Sequence, residues 1–414
     1  LPVKKAKEKK SREKKQPLAV DEQAVVNIGM VGHVDHGKTS LTQALTGKWT
    51  ETHSEELKRG ISIRLGYADT TFYKCPECKG KEAYGIKKEC HCGGRAEKLR
   101  TVSFVDAPGH ETLLTTMLSG AALMQGAILV IAANEECPQP QTKEHLTALK
   151  IAGVQNIVVA QNKIDLAGKE EAIKNYNQIK EFLKKNGFEN AVIIPVAAHF
   201  GTNIDLLIGA IEKTIPTPKT DESKELKAYC VRSFDVNRPG AKISELKGGI
   251  IGGSIIQGKI KIGDKIEISP GIDGKPIGTK VTSLNCAQGL LKEARAGGLI
   301  GIGTSLDPSI TQNDRMRGQV VALPGKMPKP VKSLSLKINF IERLAAKVEN
   351  KLKTNEILVL TIGAMTALGT VAGEKQGTVL VEMKMPVVIE KGQKIAVSKK
   401  EAGRWRLVAY AIAE

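Results

Sequence analysis

Aromatic side chains are scarce: Phe, Tyr and Trp together make 4% of the 414 residues, and only two are Trp. A chain this poor in rings does not advertise stacking platforms for bases. No apolar run approaches the ~20 residues that span a bilayer, and the opening stretch has no leader-like apolar core. The expectation is a soluble, cytoplasmic protein with no membrane partner. Acidic residues are outnumbered, 44 against 62 Lys and Arg, leaving a formal charge of +18. That balance favours a polyanionic partner, nucleic acid first. Cysteines number seven. Four of them crowd at metal-ligand spacing, which argues for a reducing compartment and against a disulfide framework.

What is present is enough apolar residue, 41% of the chain, for real cores, and a length that implies two or three domains. Residues 1–23 form a Lys-rich, low-complexity arm, expected to be disordered when free and as apt to be a solvated tail as an RNA contact. From 24 to 218, β-branched strand patterns at 102–106, 126–133, 156–161 and 191–196 alternate with helical patterns such as 141–152 and 170–186. This predicts an α/β domain with a mostly parallel sheet, whose ligands bind at the carboxyl ends of the strands. A Pro-rich, charged linker near 215–221 ends it. Beyond, glycine turns punctuate short alternating runs. The run 260–268 reads as a β-hairpin. A second break at 323–330 precedes the strictly alternating 331–340. Two β-barrel domains are therefore expected, at 219–326 and 327–414.

The stretch Gly32-His33-Val34-Asp35-His36-Gly37-Lys38-Thr39 has the phosphate-loop spacing G-x-x-x-x-G-K-[ST], with a strand pattern before it and a helical one after. Its glycines let backbone N–H groups wrap a phosphate, and the helix adds its positive end. Lys38 would reach the outer phosphates and Thr39 would place a hydroxyl on Mg²⁺. Some 70 residues on, Asp106-Ala107-Pro108-Gly109-His110 ends a strand. Asp106 can hold Mg²⁺ through water, Gly109 offers an N–H to a γ-phosphate, and His110 is placed to orient an attacking water. Between them lies Lys58-Arg59-Gly60-Ile61-Ser62-Ile63. The Ser62 hydroxyl can complete the Mg²⁺ shell in a loop ordered by the γ-phosphate. Lys38, Asp106 and His110 are the catalytic candidates.

Asn162-Lys163-Ile164-Asp165 also follows a strand. The Asp165 carboxylate can accept from guanine N1–H and the exocyclic amine, a donor pair adenine lacks. Asn162 would bond the other side of the base and the Lys163 stem would lie over the ring. Ala197-Ala198-His199, on the next strand end, would offer an N–H to guanine O6. A metabolic ATPase or kinase, and an RNA-binding scaffold with vestigial motifs, are the rival readings.

Cys75-Pro76-Glu77-Cys78 and Cys90-His91-Cys92 flank an insertion at about 73–95. Two thiolate pairs on turns can close tetrahedrally on Zn²⁺, a structural site with no open position. His91 is a rival fourth ligand, and a redox dithiol is the other alternative. Cys137, Cys230 and Cys286 read as packing residues.

Taken in order, these motifs resemble the elongation factor Tu-like translation GTPases. Segments 231–240, 246–255 and 303–311, together with the cysteine insertion, are similar to the gamma-subunit family of archaeal and eukaryotic translation initiation factor 2. Elongation factor Tu shares the plan without that insertion. The resemblance covers all but the N-terminal arm and points to the archaeal form. It implies a GTPase domain and two barrels that cycle between GTP and GDP. It also implies delivery of methionylated initiator tRNA to the small ribosomal subunit, with separate alpha and beta subunits bound to the second and first domains. An elongation-type factor carrying another aminoacyl-tRNA is the alternative. By the same resemblance, Asp35, His36, Gly37, Lys38, Thr39 and Ser40 cradle the phosphates. Thr39 and Ser62 ligate Mg²⁺, Asp35 and the Gly60 carbonyl serve a second ion, and Asn162, Lys163, Asp165 and 197–199 hold guanine. Two positions depart from the family pattern. Ser62 stands where Thr is usual, and Ala197-Ala198 stands for Ser-Ala, a lost side-chain hydrogen bond of ~1 kcal/mol. No arginine finger is legible, so slow intrinsic hydrolysis is expected.

Overall fold

The computed structural model describes residues 22–50, 65–110, 113–238, 240, 242, 245–341, 351–375, 377–401 and 403–414. The segment holding Gly60 and Ser62, and the arm up to residue 21, lie outside them.

The first unit runs β1 (Asn27–Gly32), α1 (Lys38–Thr46), β2 (Gly66–Lys74), β3 (Tyr84–Gly85), β4 (Glu97–Asp106), α2 (Leu114–Ala121), β5 (Gly126–Ala132), α3 (Pro140–Ala152), β6 (Asn156–Asn162), α4 (Lys169–Lys185), β7 (Val192–Pro195) and α5 (Ile204–Thr214). Its sheet order is β3-β2-β4-β1-β5-β6-β7. Strands β4, β1, β5, β6 and β7 are parallel, whereas β2 and β3 are antiparallel additions at one edge. β1 and β5 are buried along their whole length. That is why they read as continuous apolar runs: helices cover both faces. One face packs Leu41 and Leu45 of α1 and Leu207, Ile208 and Ile211 of α5 against Ile28, Met30 and Phe104. The other packs Met117 of α2 and Leu146 and Leu149 of α3 against Val31, Val105 and Leu129.

The second unit comprises β8 (Lys227–Phe234), β9 (Ile250–Gln257), β10 (Lys259–Lys261), β11 (Lys265–Ile272), β12 (Lys275–Cys286), β13 (Gly289–Leu291), β14 (Glu293–Arg295), β15 (Ile300–Thr304) and β16 (Val320–Ala322). Six strands, β11-β16-β8-β9-β15-β12, close through a β11–β12 pairing. The third unit is a closed six-stranded barrel, β17 (Val331–Phe340), β18 (Ile357–Ile362), β19 (Met365–Lys375), β20 (Thr378–Val387), β21 (Lys394–Glu401) and β22 (Arg404–Ala413), in the order β17-β20-β19-β18-β21-β22. Closure leaves no free sheet edge.

Two expectations are corrected. The run 260–268 is no hairpin: β10 pairs with β14, while β11 pairs with β12 and β16. Lys261 N–H donates to Asp264 Oδ2 (2.8 Å), and Gly263 N–H to Val281 O (2.9 Å), turning the chain out of one ribbon and into the barrel. Gln23, placed in the arm by its sequence, is buried. Its amide donates to Arg295 O (2.6 Å) and Gly297 O (2.7 Å) of the second unit.

Candidate nucleotide site and metal centre

The phosphate loop joins β1 to α1. Gly37, the residue before the helix, has φ +88°, and a Cβ there would strike the Asn162 amide. Only glycine meets both conditions. Lys38 is buried under the loop and its Nζ donates to His33 O (2.6 Å). The D-x-x-G segment lies directly against it. A Cβ on Gly109 would sit 2.5 Å from Lys38 Nζ and 3.0 Å from Val34 N. Thr39 Oγ1 donates to Asp106 Oδ2 (3.0 Å), so the two expected Mg²⁺ holders are in contact. Thr50, which sequence reasoning missed, donates to the same oxygen (2.7 Å). Asp35 is exposed at the loop tip with φ 60°, Ser40 is half-buried, and His110 is half-buried at the end of its segment. A hydroxyl beside a buried carboxylate is an oxygen donor set suited to a hard cation such as Mg²⁺.

The His36 side chain turns into the protein. Its ring is buried, with Nδ1 3.1 Å from Val130 O and Nε2 3.2 Å from Glu135 Oε2. Burial pushes its pKa down, against the pull of Val130 and Glu135. His145 of α3 accepts the Gly32 N–H through Nδ1 (3.0 Å). Burial drives His145 down to about 3, which keeps the ring neutral and that nitrogen an acceptor. Neither His145 nor Glu135 carries a motif. The only sequence signal was a His on the buried face of a helix.

Asn162, expected beside the base, is engaged at both ends of its amide within the protein: Nδ2 donates to His36 O (2.9 Å) and Oδ1 accepts Ala198 N–H (3.1 Å). It ties the phosphate loop to the loop after β7. Lys163 takes φ 61°, and Asp165 stands exposed beyond it. Ala197 and Ala198 are buried while His199 and Phe200 face solvent, ring to ring at 5.0 Å. The phosphate loop, the D-x-x-G segment and the loops after β6 and β7 are therefore linked by named hydrogen bonds or close contacts.

On the far edge of the sheet, Cys75, Cys78, Cys90 and Cys92 place their sulfurs within 4.8 Å of one another. The Cys75–Cys92 and Cys78–Cys90 Sγ pairs are 3.6 and 3.5 Å apart. Thiolates at ~2.3 Å from a tetrahedral Zn²⁺ lie ~3.8 Å apart, so the four sulfurs fit that ion. His91 Nδ1 contacts Cys90 Sγ (3.4 Å) and stands outside the four-sulfur group. All seven cysteines are free thiols.

Comparison with known proteins follows the same division. Residues 23–217 match the elongation factor Tu GTP binding domain, 248–322 match elongation factor Tu domain 2, and 332–413 match the initiation factor eIF2 gamma C-terminal domain. The translation initiation factor 2 subunit gamma of Methanococcus maripaludis is 55% identical over 95% of this chain and 100% of its own length. Those of Methanocaldococcus jannaschii and Pyrococcus abyssi are each 52% identical, over 95% and 94% of this chain and 98% and 97% of theirs. Among solved structures, a bacterial selenocysteine-specific elongation factor superposes with TM-score 0.74 at 25% identity, covering 94% of this chain and 58% of that one. Elongation factor SelB of Methanococcus maripaludis, in complex with the GTP analogue GppNHp, gives TM-score 0.72 at 22% identity over 95% of this chain and 79% of that one, a likeness of fold.

Proposed function

This chain belongs to the gamma-subunit family of translation initiation factor 2, a family of GTP-hydrolysing translation factors, and on that premise we propose that it carries methionylated initiator tRNA to the small ribosomal subunit. In this reading GTP orders the segment around Ser62 and the segment after Asp106, and together they complete the tRNA-binding surface. Hydrolysis to GDP removes the γ-phosphate contacts, and the hold on tRNA falls. The alpha and beta subunits of the same factor bind the second and first domains, and the assembly works in the cytoplasm.

The observation that supports this reading most directly is the adjacency of Gly109 to Lys38 and of Asp106 to Thr39. A terminal phosphate reaching Lys38 would meet the D-x-x-G segment at once, so its loss releases that segment. Lys38 would neutralise the outer phosphates, Thr39 and Asp106 would hold Mg²⁺, and His110 would orient the attacking water for in-line displacement. The ion, when bound, screens the phosphate charge. Asp165 would select guanine, with Lys163 over the ring and the 197–199 loop on O6. Asp35 and Gly60 would serve a second ion, and the four cysteines would hold Zn²⁺.

The test is competition between methionylated initiator and elongator tRNAs for the chain loaded with a non-hydrolysable GTP analogue, and again with GDP. Preference for the initiator in the first state and weak binding in the second is expected. Equal or stronger binding of elongator tRNA would move the chain to the elongation-type reading. Single-turnover hydrolysis by the isolated chain is expected to be slow, because no arginine is placed by any motif to stabilise the transition state.

A further inference from the structure

The cysteine insertion and the loop read above as the guanine contact lie at opposite ends of one helix, α5. Three sets of contacts join them. First, Cys75 N–H donates to Ala83 O (2.7 Å), tying a cysteine of the cluster to the 3-10 turn Gly80–Ala83. That turn and β3 pack on α5. Second, the Tyr84 ring lies against Gly209 in the middle of α5. A Cβ there would fall 3.1 Å from two ring carbons. Glycine inside a helix costs ~1 kcal/mol against alanine, and here it admits the ring to the helix backbone. Third, Arg100, on the β4 strand that leaves the insertion, clamps the C-terminal end of α5. Its Nε donates to Glu212 Oε1 (2.8 Å), Nη2 to Ile215 O (2.6 Å) and Nη1 to Thr217 Oγ1 (3.0 Å).

At its other end α5 begins within the loop. Asn203, the residue before the helix, has φ 59° and donates through Nδ2 to Pro195 O (2.8 Å). Thr202 and Ala197 exchange backbone hydrogen bonds of 3.2 and 3.3 Å. The inner face of α5 is fixed by Leu207, Ile208 and Ile211 in the core. From the side of the insertion, Tyr84, itself packed against that core, and Arg100 at the C-terminal end add further restraints.

We infer that the insertion acts as a brace for the guanine loop, with Tyr84 and Arg100 as positioning residues, so that loading of the four cysteines with zinc sets how firmly the guanine base is held. The inference rests on the reading of 197–199 as the O6 contact. Helix α5 is a rigid rod between the two sites, and a small displacement of it moves the 197–199 loop relative to the base. The phosphate loop has holds of its own, Lys38 Nζ on His33 O and His145 on the Gly32 N–H, besides the Asn162 link to the 197–199 loop.

The experiment measures the affinity of the zinc-loaded chain for GDP and for 2,6-diaminopurine riboside diphosphate, which carries an amine in place of O6 and has no N1–H, so that the change in ratio on zinc removal, not the ratio itself, reports the brace. It is repeated after zinc is removed by a chelator. The ratio of the two affinities is expected to fall about tenfold on zinc removal, with analogue binding unchanged. Tyr84→Ala, with zinc retained, should reproduce that fall, Tyr84→Phe should not, and chelation of Tyr84→Ala should add no more than a factor of about two, the non-additivity of a shared path. Unchanged analogue binding also shows that each variant is folded around its phosphate loop. A ratio that survives zinc removal, or equal loss for both nucleotides, overturns the brace. Failure of the zinc-loaded parent chain to prefer GDP over the analogue would overturn the guanine assignment itself, a separate outcome.

Discussion

At the scale of single residues, the phosphate loop is held by side chains from distant parts of the chain. Burial pushes the His145 pKa down to about 3, with Lys38, His33 and His36 adding to the effect. The ordinary histidine value is 6.5. The folded state therefore resists protonation that the unfolded chain accepts. Stability contributed by neutral His145 is present above the unfolded pKa and is lost as pH falls below about 6.5, at up to ~1.4 kcal/mol per pH unit. His145→Asn should flatten the pH dependence of the urea midpoint between pH 6.5 and 4. An unchanged slope would show that another group sets it. Asn162 makes an equally specific case. Asn162→Asp retains an acceptor for Ala198 N–H but has no donor for His36 O. Leaving that buried carbonyl unpaired costs ~1–3 kcal/mol, and GDP dissociation measured by stopped flow should accelerate accordingly. The sequence marked Lys38, Thr39, Asp106 and Asn162 because motifs fix their spacing. It was silent on His145, Glu135 and Thr50, whose partners come from elsewhere in the chain.

At the scale of elements, periodicity identified strands and helices well and their partners less well. Strand β2 shows the limit. It crosses the edge of the sheet antiparallel to β4 and carries Asp69 opposite Ser103. Asp69 is 6% exposed and its Oδ2 has no partner among the described atoms. Burial raises its pKa to about 6 from 3.8, against the opposing pull of Ser103 and Lys48. A raised carboxyl gives stability that is whole below about 3.8 and lost as pH climbs through about 6. At pH 8 the charged form is a liability. Asp69→Asn should raise the urea midpoint at pH 8, by up to ~3 kcal/mol of stability, and the gain should vanish at pH 4. A destabilised variant at pH 8 would instead assign the carboxylate an ionised partner. The hairpin expected at 260–268 failed for a related reason. Alternation fixes which face of a strand is apolar, not which strand lies beside it.

At the scale of the whole molecule, the three units meet around one small cluster. Leu123 of the first unit packs with Tyr229, Val231 and Val320 of the second and Ala364 of the third. Polar contacts flank it: Asn27 Nδ2 donates to Ser254 Oγ (2.8 Å), and Arg406 pairs with Glu144 of α3 at 3.1 Å. The Arg406–Glu144 pair is partly exposed and contributes little. Leu123 is fully buried, so Leu123→Ala should cost ~2–5 kcal/mol. Because the loss falls on the junction, calorimetry should show the single transition broadening or splitting into two. A uniform drop in midpoint without broadening would mean the units unfold together through other contacts.

By itself, the sequence marked the phosphate loop, the D-x-x-G segment, the Asn162–Asp165 and 197–199 loops and the cysteine pairs. It also determined the succession of one α/β unit and two barrels. These are local properties: a loop geometry needs glycine at fixed positions, a tetrahedral site needs sulfurs on turns, and a strand buried on both faces needs an unbroken apolar run. Only the tertiary structure decided that Asn162 joins the phosphate loop to the loop after β7, that the His36 ring packs against Val130 and Glu135, that β10 leaves its neighbour for β14, and that Tyr84 and Arg100 grip the helix that follows the 197–199 loop. Each of these pairs groups distant along the chain, whose meeting depends on how the sheet and barrels close, and no local pattern encodes that closure.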